Sequence, residues 1–370
     1  MGDSINIFLD NLNALLTRLY IFLLPFQILI WILILLSPVL CTMLFFKRML
    51  KLNTSLPIKF IIFGLYLTLG TLVAITVSYD NKLHIIQLET FRYNKNHFTN
   101  KFTSIKIEKS DTNFFVYNKA LSKLSFADTT MLRMLQSQPG LQVVELTTRH
   151  PKISAFFAII DLNLYNVVLD TDIVKKERTS EFCKRYNADI AVNGEAGMSP
   201  SDNAPLGIWT GNYIVNKKII LLHDTKDRPF MYFDAHSKAY YSPDAEVIKN
   251  TNSNMINAIW GRFDLIVNNK IQIDPADLTK KNPYPRTIVG IDNTQQKIAL
   301  LVVDGRRPEY STGMTMLMCA EVMQKLGCAN AMACDQGGSS MMYSKVLNVV
   351  NLPADGHERK VYTHLAFRKK

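Results

Sequence analysis

The sequence KIALLVVDGRRPEYSTGMTMLMCAEVMQKLGCANAMACDQGGSSMMY, residues 297–343, decides the fold of this chain. It contains an apolar strand that ends at Asp304 and an amphipathic helix over residues 315–326, followed by a second apolar strand that ends at Asp335. A helix between two short buried strands is most simply a crossover connection, so the strands are predicted to run parallel and to end at one edge of the sheet. We therefore expect both carboxylates to face the same crevice.

The sequence on the N-terminal side continues this strand pattern, with a second helix predicted at Ser180–Tyr186. A chain of this kind is expected to form an α+β domain dominated by sheet. Strands are predicted for the short runs rich in β-branched and aromatic residues: LQVVELT (141–147), ISAFFAIIDL (153–162), YNVVLDT (165–171), DIAVNGE (189–195), GNYIVNKKIILL (211–222), FMYFDA (230–235), FDLIVNNKIQI (263–273), RTIVGID (286–292) and KIALLVV (297–303).

Two uncharged apolar segments, Tyr20–Phe46 and Phe60–Val77, precede the domain. Each is long enough to span a hydrocarbon layer of about 30 Å. The alternatives are a signal peptide for the first segment and a buried core helix for the second. The first run is too long for a signal peptide, and the second has the length of a membrane span. We predict two transmembrane helices.

The connector between these helices is basic and contains no acidic residue: Lys47, Arg48, Lys51 and Lys59. The positive-inside rule places the connector in the cytoplasm, so the C-terminal domain is predicted to be extracytoplasmic, either periplasmic or extracellular. The predicted organisation is an amino-terminal tail (1–19), the two-span anchor with its connector (20–79), a stalk or lead-in (80–140) and the domain (141–370). Within the lead-in, a strand is expected at Phe114–Tyr117 and a helix around Thr129–Gln136.

The chain has a formal net charge of +11. A basic surface beside a membrane suits anionic headgroups, phosphodiester-linked glycans or acidic polymers, or it is simply a solvated face. The sequence has no Arg-rich helix, zinc-finger spacing or aromatic RNA-binding signature, so no nucleic-acid partner is predicted. His223, His236 and His364 are interpreted as isolated, which argues against a metal-dependent phosphoesterase. No metal or cofactor is expected. The alternative is a structural cation such as calcium near the Asp residues, which the sequence allows but does not indicate.

Four cysteines follow the predicted spans: Cys183, Cys319, Cys328 and Cys334. An oxidising compartment would permit disulfides among them, with three connectivities if all four pair. The alternative is a free buried thiol at each position, which is favoured for Cys319 because it lies on the apolar face of the predicted helix. A CxxC pair does not occur in the sequence.

The turns that follow or precede the predicted strands are expected to carry the binding and catalytic residues. In Asn193-Gly194-Glu195-Ala196-Gly197, the glycines can bring backbone N–H groups close to a ligand, and Asn193 offers both a donor and an acceptor. Arg286 and Thr287 open the strand RTIVGID after the loop NPYPR, and a guanidinium suits bidentate binding of a phosphate or carboxylate. The remaining turns are Asp304-Gly305-Arg306 and Asp335-Gln336-Gly337-Gly338-Ser339-Ser340.

Five motifs, taken in order along the chain, resemble the phosphodiester glycosidase family: NGEAG, RTIVGID, LLVVDGRRPEYSTGMT, LGCANAMACDQGGSSMM and ERKVYTHLAF. The resemblance covers roughly residues 141–368. It implies hydrolysis of the bond between the anomeric carbon of a sugar, such as N-acetylglucosamine, and a phosphodiester. The products would be free sugar and a phosphomonoester.

The resemblance carries over to this chain motif by motif. Asn193 and Gly194 match the N-G turn of the family, Arg286 its R-T strand start, Asp304 and Arg306 its D-G-R, and the group Asp335, Gly337, Gly338 and Ser339 its D-G-G-G-S. There are two departures. The usual N-G-G-F-F is here N-G-E-A-G, which removes an aromatic wall and adds the Glu195 carboxylate, and the second residue of D-G-G-G-S is Gln336.

An oxocarbenium-like transition state needs a carboxylate near the anomeric carbon, whereas a phosphate leaving group mainly needs its charge neutralised. We expect Asp335 or Asp304 to act as base or nucleophile, with Glu195 as a further candidate. Arg286 and Arg306, with backbone N–H groups of Gly337, Gly338 and Ser339, are expected to hold the phosphate, and Thr287 and Ser340 complete the predicted substrate site. The predicted function is a membrane-anchored hydrolase of envelope polysaccharide metabolism. The alternative is a non-catalytic glycan-binding module.

Overall fold

The computed structural model describes residues 112–171, 173, 175–195, 211–221, 228–243, 254–274 and 281–370. All of them fall within one unit of the chain, residues 94–370. The two predicted spans, their connector and most of the predicted lead-in lie outside the described residues, as do His223 and the Ala196-Gly197 part of the NGEAG turn. Within the described ranges, no helix is long and apolar enough to cross a membrane.

The largest sheet has eight strands: β1 Thr130–Gln138, β2 Leu141–Thr148, β3 Ile153–Asp161, β12 Phe263–Val267, β13 Lys270–Ile271, β14 Arg286–Asp292, β15 Lys297–Val303 and β16 Cys328–Ala333. Their order across the sheet is β1-β2-β3-β15-β14-β16-β12-β13, and every neighbouring pair is antiparallel.

The predicted crossover is present in this sheet. Strands β15 and β16 each pair antiparallel with β14, which lies between them, so β15 and β16 run parallel to one another. The helix that joins them, α3, spans Met316–Lys325 and is capped by Thr315, whose hydroxyl accepts a hydrogen bond from Met318 N at 3.2 Å. The carboxyl ends of β15 and β16 and the start of β14 therefore share one edge of the sheet.

Two smaller five-stranded sheets have the orders β18-β17-β6-β20-β4 and β10-β9-β11-β7-β8, and β5 pairs with β19. The bounds of these strands are β4 Tyr165–Val168, β5 Glu177–Arg178, β6 Ile190–Asn193, β7 Tyr213–Val215, β8 Lys218–Leu221, β9 Phe230–Phe233, β10 Ala239–Ser242, β11 Asn257–Trp260, β17 Met342–Ser344, β18 Asn348–Val349, β19 Lys360–Val361 and β20 His364–Lys369.

Both faces of the large sheet are buried. Leu300 and Val302 of β15 belong to a core shared with Trp260 and other residues of the smaller sheets. Leu301 and Val303 point to the other face, into a core with α3 and with α1, which spans Thr112–Leu121. Double burial explains why KIALLVV is continuously apolar rather than alternating.

The nine strand segments predicted from residue 141 onward all contain strands, and the predicted helix at Ser180–Tyr186 is α2, Thr179–Arg185. The predictions for the lead-in are wrong. Phe114–Tyr117 lies in α1, whose end contributes the fully buried Leu121 to the core. Thr129–Gln136 is not helical, because Thr130–Gln138 forms a hairpin with β2 across a turn in which Gly140 has φ +74°. The large sheet thus already includes residues of the predicted lead-in.

The four cysteines after the predicted spans are free and buried. Cys319 and Cys328 lie in the core around α3, and Cys334 lies in the core on the other face of the sheet. The interpretation of Cys319 as a free buried thiol is confirmed.

Candidate functional site

Strand ends from two sheets converge at one place. Arg286 at the start of β14 pairs with Val303 at the end of β15, and Ile288 pairs with Ala333 at the end of β16. Just beyond β16, Asp335 N donates a hydrogen bond to Gly194 O at 3.2 Å, and Gly194 follows β6 of a smaller sheet. The turns singled out in the sequence are thus neighbours in space.

Asn193 connects the two sheets. Its side chain is fully buried, and its Oδ1 accepts hydrogen bonds from Thr287 Oγ1 at 2.7 Å and from Met341 N at 3.0 Å. Its Nδ2 donates to Asp335 O at 3.2 Å and to Gly194 O at 3.1 Å. Both ends of the amide are used by protein atoms, so Asn193 fixes the backbone on which the carboxylates lie.

Gly194 is required by a close approach of β20. Its N–H donates to Thr363 O at 2.8 Å, and a Cβ at this position would lie 2.5 Å from Thr363 Oγ1. Real Cβ atoms do not approach other atoms this closely. The glycine therefore lets Glu195 enter the site directly after β6, with its main-chain oxygen accepting from Thr363 Oγ1 at 2.6 Å.

Glu195 and Asp335 share one arginine. Arg262 Nε donates to Glu195 Oε1 at 2.9 Å, and Arg262 Nη2 lies 3.9 Å from Asp335 Oδ1. The Glu195 side chain is 2% exposed, whereas that of Asp335 is 15% exposed. Burial raises the pKa of Glu195 to about 8, and Asp335 adds to the rise while Arg262 opposes it. Near neutral pH, Glu195 is thus a protonated acid beside an accessible carboxyl group.

Three buried polar atoms in this region have no hydrogen-bond partner in the described part of the chain: Glu195 Oε2, Gln336 Oε1 and Ser340 Oγ. Buried polar groups are normally paired, because leaving one unpaired costs about 1–3 kcal/mol. Atoms of this kind at converging strand ends are typical of a site that is completed by a ligand.

Asp304 is fully enclosed. Its carboxylate accepts hydrogen bonds from Asn351 Nδ2 at 2.9 Å, from Leu352 N at 3.0 Å and from Tyr310 Oη at 3.0 Å. Burial raises its pKa to about 7 although these bonds favour the charged form. Asp304 therefore holds the segment around Leu352, and it does not share an open crevice with Asp335 as expected from the strand ends.

Arg286 also points into the protein. It is 1% exposed, and its guanidinium donates to Met314 O at 3.1 Å and to Asn282 O at 2.8 Å. The same group lies 5.4 Å from the centroid of the Tyr284 ring. These contacts hold the Arg286 guanidinium inside the protein beside the Tyr284 ring, and not in an open position at a phosphate as the sequence predicted.

The glycine-rich turn supports a second group of charges. Gly337 adopts φ +87°, and a Cβ on it would lie 3.1 Å from Arg306 Nη2. Gly337 N donates to Pro285 O at 3.0 Å, which withdraws this N–H from the predicted anion nest. The side chains of Arg306 and Arg359 are 38% and 46% exposed, and both approach Asp355. They present guanidinium groups at the edge of the turn.

Residues 186–368 match the family model described as phosphodiester glycosidase. This segment belongs to the phosphodiester glycosidase family. No curated protein matches the sequence significantly.

Three solved structures are similar to this chain, and the first of them shares its fold. The catalytic domain of zebrafish N-acetylglucosamine-1-phosphodiester alpha-N-acetylglucosaminidase, auto-inhibited by its pro-peptide, is 17% identical with a TM-score of 0.53, over 70% of this chain and 94% of that one. A hypothetical protein from Synechocystis is 10% identical with a TM-score of 0.48, over 66% and 64% of the two chains. A putative exported protein from Burkholderia pseudomallei is 14% identical with a TM-score of 0.44, over 59% and 74%.

The structure adds three residues to the predicted site of the phosphodiester glycosidase domain: Arg262, Asp355 and Arg359. Arg262 follows Gly261 and precedes β12, so the sequence offers the same signal there as at Arg286, an arginine at a strand start. The structure shows why a glycine precedes Arg262: a Cβ on Gly261 would lie 2.8 Å from Met332 Sδ. Asp355 lies in a loop without a strand pattern. Arg359 directly precedes β19 and belongs to the motif ERKVYTHLAF, but it was not among the predicted site residues.

Proposed function

We propose that this chain is a phosphodiester glycosidase that hydrolyses the bond between an anomeric carbon and a phosphate. The observation that carries the proposal is the buried Glu195 Oε2, which has no hydrogen-bond partner among the described residues and lies next to Arg262 and Asp335. Glycosyl transfer needs a carboxylate and a proton source placed around one bond. Glu195 and Asp335 differ in burial, which suits them to the two tasks.

In the proposed reaction, a water molecule attacks the anomeric carbon and passes a proton to Asp335. The bond between this carbon and the phosphate oxygen breaks, and its electron pair leaves with the phosphate. That oxygen takes the proton of Glu195, giving free sugar and a phosphomonoester. Arg262 stabilises the charge on Asp335 through the 3.9 Å contact.

The phosphate is proposed to bind at the glycine-rich turn. Arg306 and Arg359 are exposed enough to reach a ligand there, and a planar guanidinium suits phosphate oxygens. Arg286 and Asp304, whose polar atoms bond to protein groups, take positioning roles in this proposal. The two-span anchor and the extracytoplasmic location also belong to the proposal, and they rest on the uncharged N-terminal segments of the sequence.

The test uses the full-length chain in detergent with UDP-N-acetylglucosamine and a methyl phosphodiester of N-acetylglucosamine 1-phosphate. Free reducing sugar is measured over time. Asp335→Asn is expected to abolish release, since it cannot accept the proton from water, while the fold remains intact by circular dichroism. Glu309→Gln changes an exposed carboxylate and serves as the matched control.

Two results would contradict the proposal. Near-normal release by Asp335→Asn would remove this residue from the catalytic role. Saturable binding without release by the wild-type chain would favour the glycan-binding module over the hydrolase.

A further inference from the structure

A second polar cluster lies on strands beside the candidate site. Asp170 follows β4, Glu177 begins β5 and His364 begins β20. One ligand atom from each residue lies within 4.8 Å of those of the other two. The side chains of Asp170 and Glu177 are 2% and 15% exposed, and His364 is 0% exposed. The sequence interpretation of His364 as isolated is therefore wrong in three dimensions.

The His364 ring has the main chain of Glu177 beside it. Neither Nδ1 nor Nε2 has a partner with the distance and angle of a hydrogen bond among the described residues. Phe182 stacks on the ring with a centroid distance of 4.6 Å and an interplanar angle of 16°. A buried imidazole held by this stack beside two carboxylates is ready to bind a cation.

Arg185 supplies the positive charge that the carboxylates face. Its Nη2 lies 2.6 Å from Asp170 Oδ2, and it also bonds to Glu177. Tyr186 Oη donates to Asp170 Oδ1 at 3.1 Å. The Arg185 side chain is 46% exposed, so it can leave towards solvent while the buried His364 stays in place.

We propose that Asp170, Glu177 and His364 form a binding site for a divalent transition metal ion, and that Arg185 neutralises the two carboxylates when the ion is absent. One imidazole and two carboxylates are a ligand set suited to Zn²⁺ or Mn²⁺. Calcium prefers six to eight oxygen ligands, which this cluster does not offer.

The cluster must contract to bind the ion. Ligand atoms around a tetrahedral zinc ion with bonds of about 2.0–2.1 Å lie about 3.3 Å apart, whereas those of the cluster lie within 4.8 Å. Rotation of the Glu177 side chain, the most exposed of the three ligands, can supply much of this movement. Because His364 pairs with Asn193 across β20 and β6, the ion would fasten β20 next to the candidate site.

The proposal is tested with the tag-free full-length chain in detergent after treatment with EDTA and dialysis. Zn²⁺, Mn²⁺ and Ca²⁺ are titrated separately, bound metal is measured by equilibrium dialysis with elemental analysis, and the melting temperature is recorded. We expect one equivalent of Zn²⁺ or Mn²⁺ and a melting temperature that rises with metal concentration. Calcium is expected to bind at least tenfold more weakly.

Variants separate this site from adventitious binding. His364→Phe keeps the stack on Phe182 and should weaken binding by more than about 100-fold, since even residues that support a metal ligand contribute about 10–100-fold. Glu177→Gln should also weaken binding, and it replaces His364→Phe as the test if that variant does not fold. Arg185→Gln should tighten binding because the competing cation is gone. His236→Asn, which changes an exposed histidine, is the control and should bind as the wild type does.

Absence of Zn²⁺ and Mn²⁺ binding by the wild-type chain would overturn the proposal, as would wild-type affinity in the folded His364→Phe variant. The readout is metal content and melting temperature, so the result is independent of sugar release. Failure of the hydrolase assay and failure of metal binding can therefore be told apart.

Discussion

At the residue scale, the environment of Glu195 decides its chemistry. Its side chain is 2% exposed, and within the described ranges it has one hydrogen bond, from Arg262. This is too little compensation for the loss of water around a charge. The pKa is therefore raised to about 8 rather than lowered, despite the arginine. The acid form is present below that value and disappears as the pH rises through it.

The first prediction concerns the pH dependence of sugar release. In the wild type, release should fall as the pH rises through about 8, because Glu195 loses the proton it donates. Glu195→Gln should lower the rate by about 100-fold, the lower end of the range for general acid catalysis, since phosphate is already a good leaving group. The measurement is kcat from pH 5 to 10 for both proteins. An alkaline limb that persists in the Gln variant would exclude Glu195 as its origin.

The same pKa has a consequence for stability. The pKa of Glu195 is higher in the folded state than its ordinary value of 4.5. The contribution of Glu195 to stability is therefore fully present below pH 4.5 and is lost as the pH rises through about 8. Glu195→Gln should remove that loss. Urea unfolding at pH 5 and pH 9 should then show a smaller decline in the free energy of unfolding for the variant than for the wild type.

Asn193 provides a second prediction at this scale. Replacement by alanine leaves Thr287 Oγ1 and Met341 N without their buried acceptor. Each unpaired buried group costs about 1–3 kcal/mol, so the free energy of unfolding should fall by about 2–6 kcal/mol for the two groups. Urea denaturation measures the change. Asn293→Ala at an exposed position is the control and should stay within about 0.5 kcal/mol of the wild type.

The sequence identified residue types at strand ends but not the direction of their side chains. Asp304 and Asp335 are equivalent in the sequence pattern, yet one carboxylate is enclosed by Asn351, Leu352 and Tyr310, while the other is 15% exposed. Their difference comes from a segment some fifty residues further along the chain. No local pattern predicts such a contact.

At the element scale, the crossover between β15 and β16 was predictable because its strands are continuously apolar and its helix has a periodic apolar face. The insertion of β14 between them was not, since strand order depends on packing between distant segments. The wrong predictions of a strand at α1 and of a helix at β1 also come from packing with other segments. The end of α1 packs into the core through Leu121. Thr130–Gln138 pairs with β2 along its whole length, and this pairing outweighs its local preference.

The glycine-rich turn gives a prediction at the element scale. A Cβ on Gly338 would lie 2.0 Å from Asp355 Oδ2 and 2.3 Å from Arg359 Nη2, so Gly338→Ala must displace both side chains. We expect KM for the phosphodiester to rise about tenfold, which corresponds to about 1.4 kcal/mol of lost binding, with a smaller change in kcat. Steady-state kinetics measures the two constants.

Gly327→Ala is the control for this experiment. A Cβ on Gly327 meets nothing within 4 Å, although the φ of +86° makes the substitution strained. It should lower stability without changing KM. An equal rise of KM in both variants would show that the turn has no specific role in substrate binding.

At the scale of the whole molecule, the candidate site lies where the large sheet meets the sheet that contains β6 and β20. Hydrogen bonds from Thr287 to Asn193 and between Asp335 and the Asn193-Gly194 turn join the two sheets, and they connect residues far apart in the sequence. The motifs could be read in order along the chain, but their meeting depends on this junction. The same junction places His364 opposite Asn193, which a linear pattern could not indicate.

The final prediction concerns the position of the whole chain in the membrane. Four basic residues between two uncharged segments favour a cytoplasmic connector, so the domain should face away from the cytoplasm. In a bacterial host, alkaline phosphatase fused after Lys370 should be active, and a fusion within the connector should be inactive. The chain should stay with membranes after carbonate washing.

Replacing Lys47, Arg48, Lys51 and Lys59 by Gln should reduce the activity of the C-terminal fusion, because the charge bias that fixes the orientation is gone. Release of the wild-type chain by carbonate, or an active connector fusion, would contradict the predicted topology.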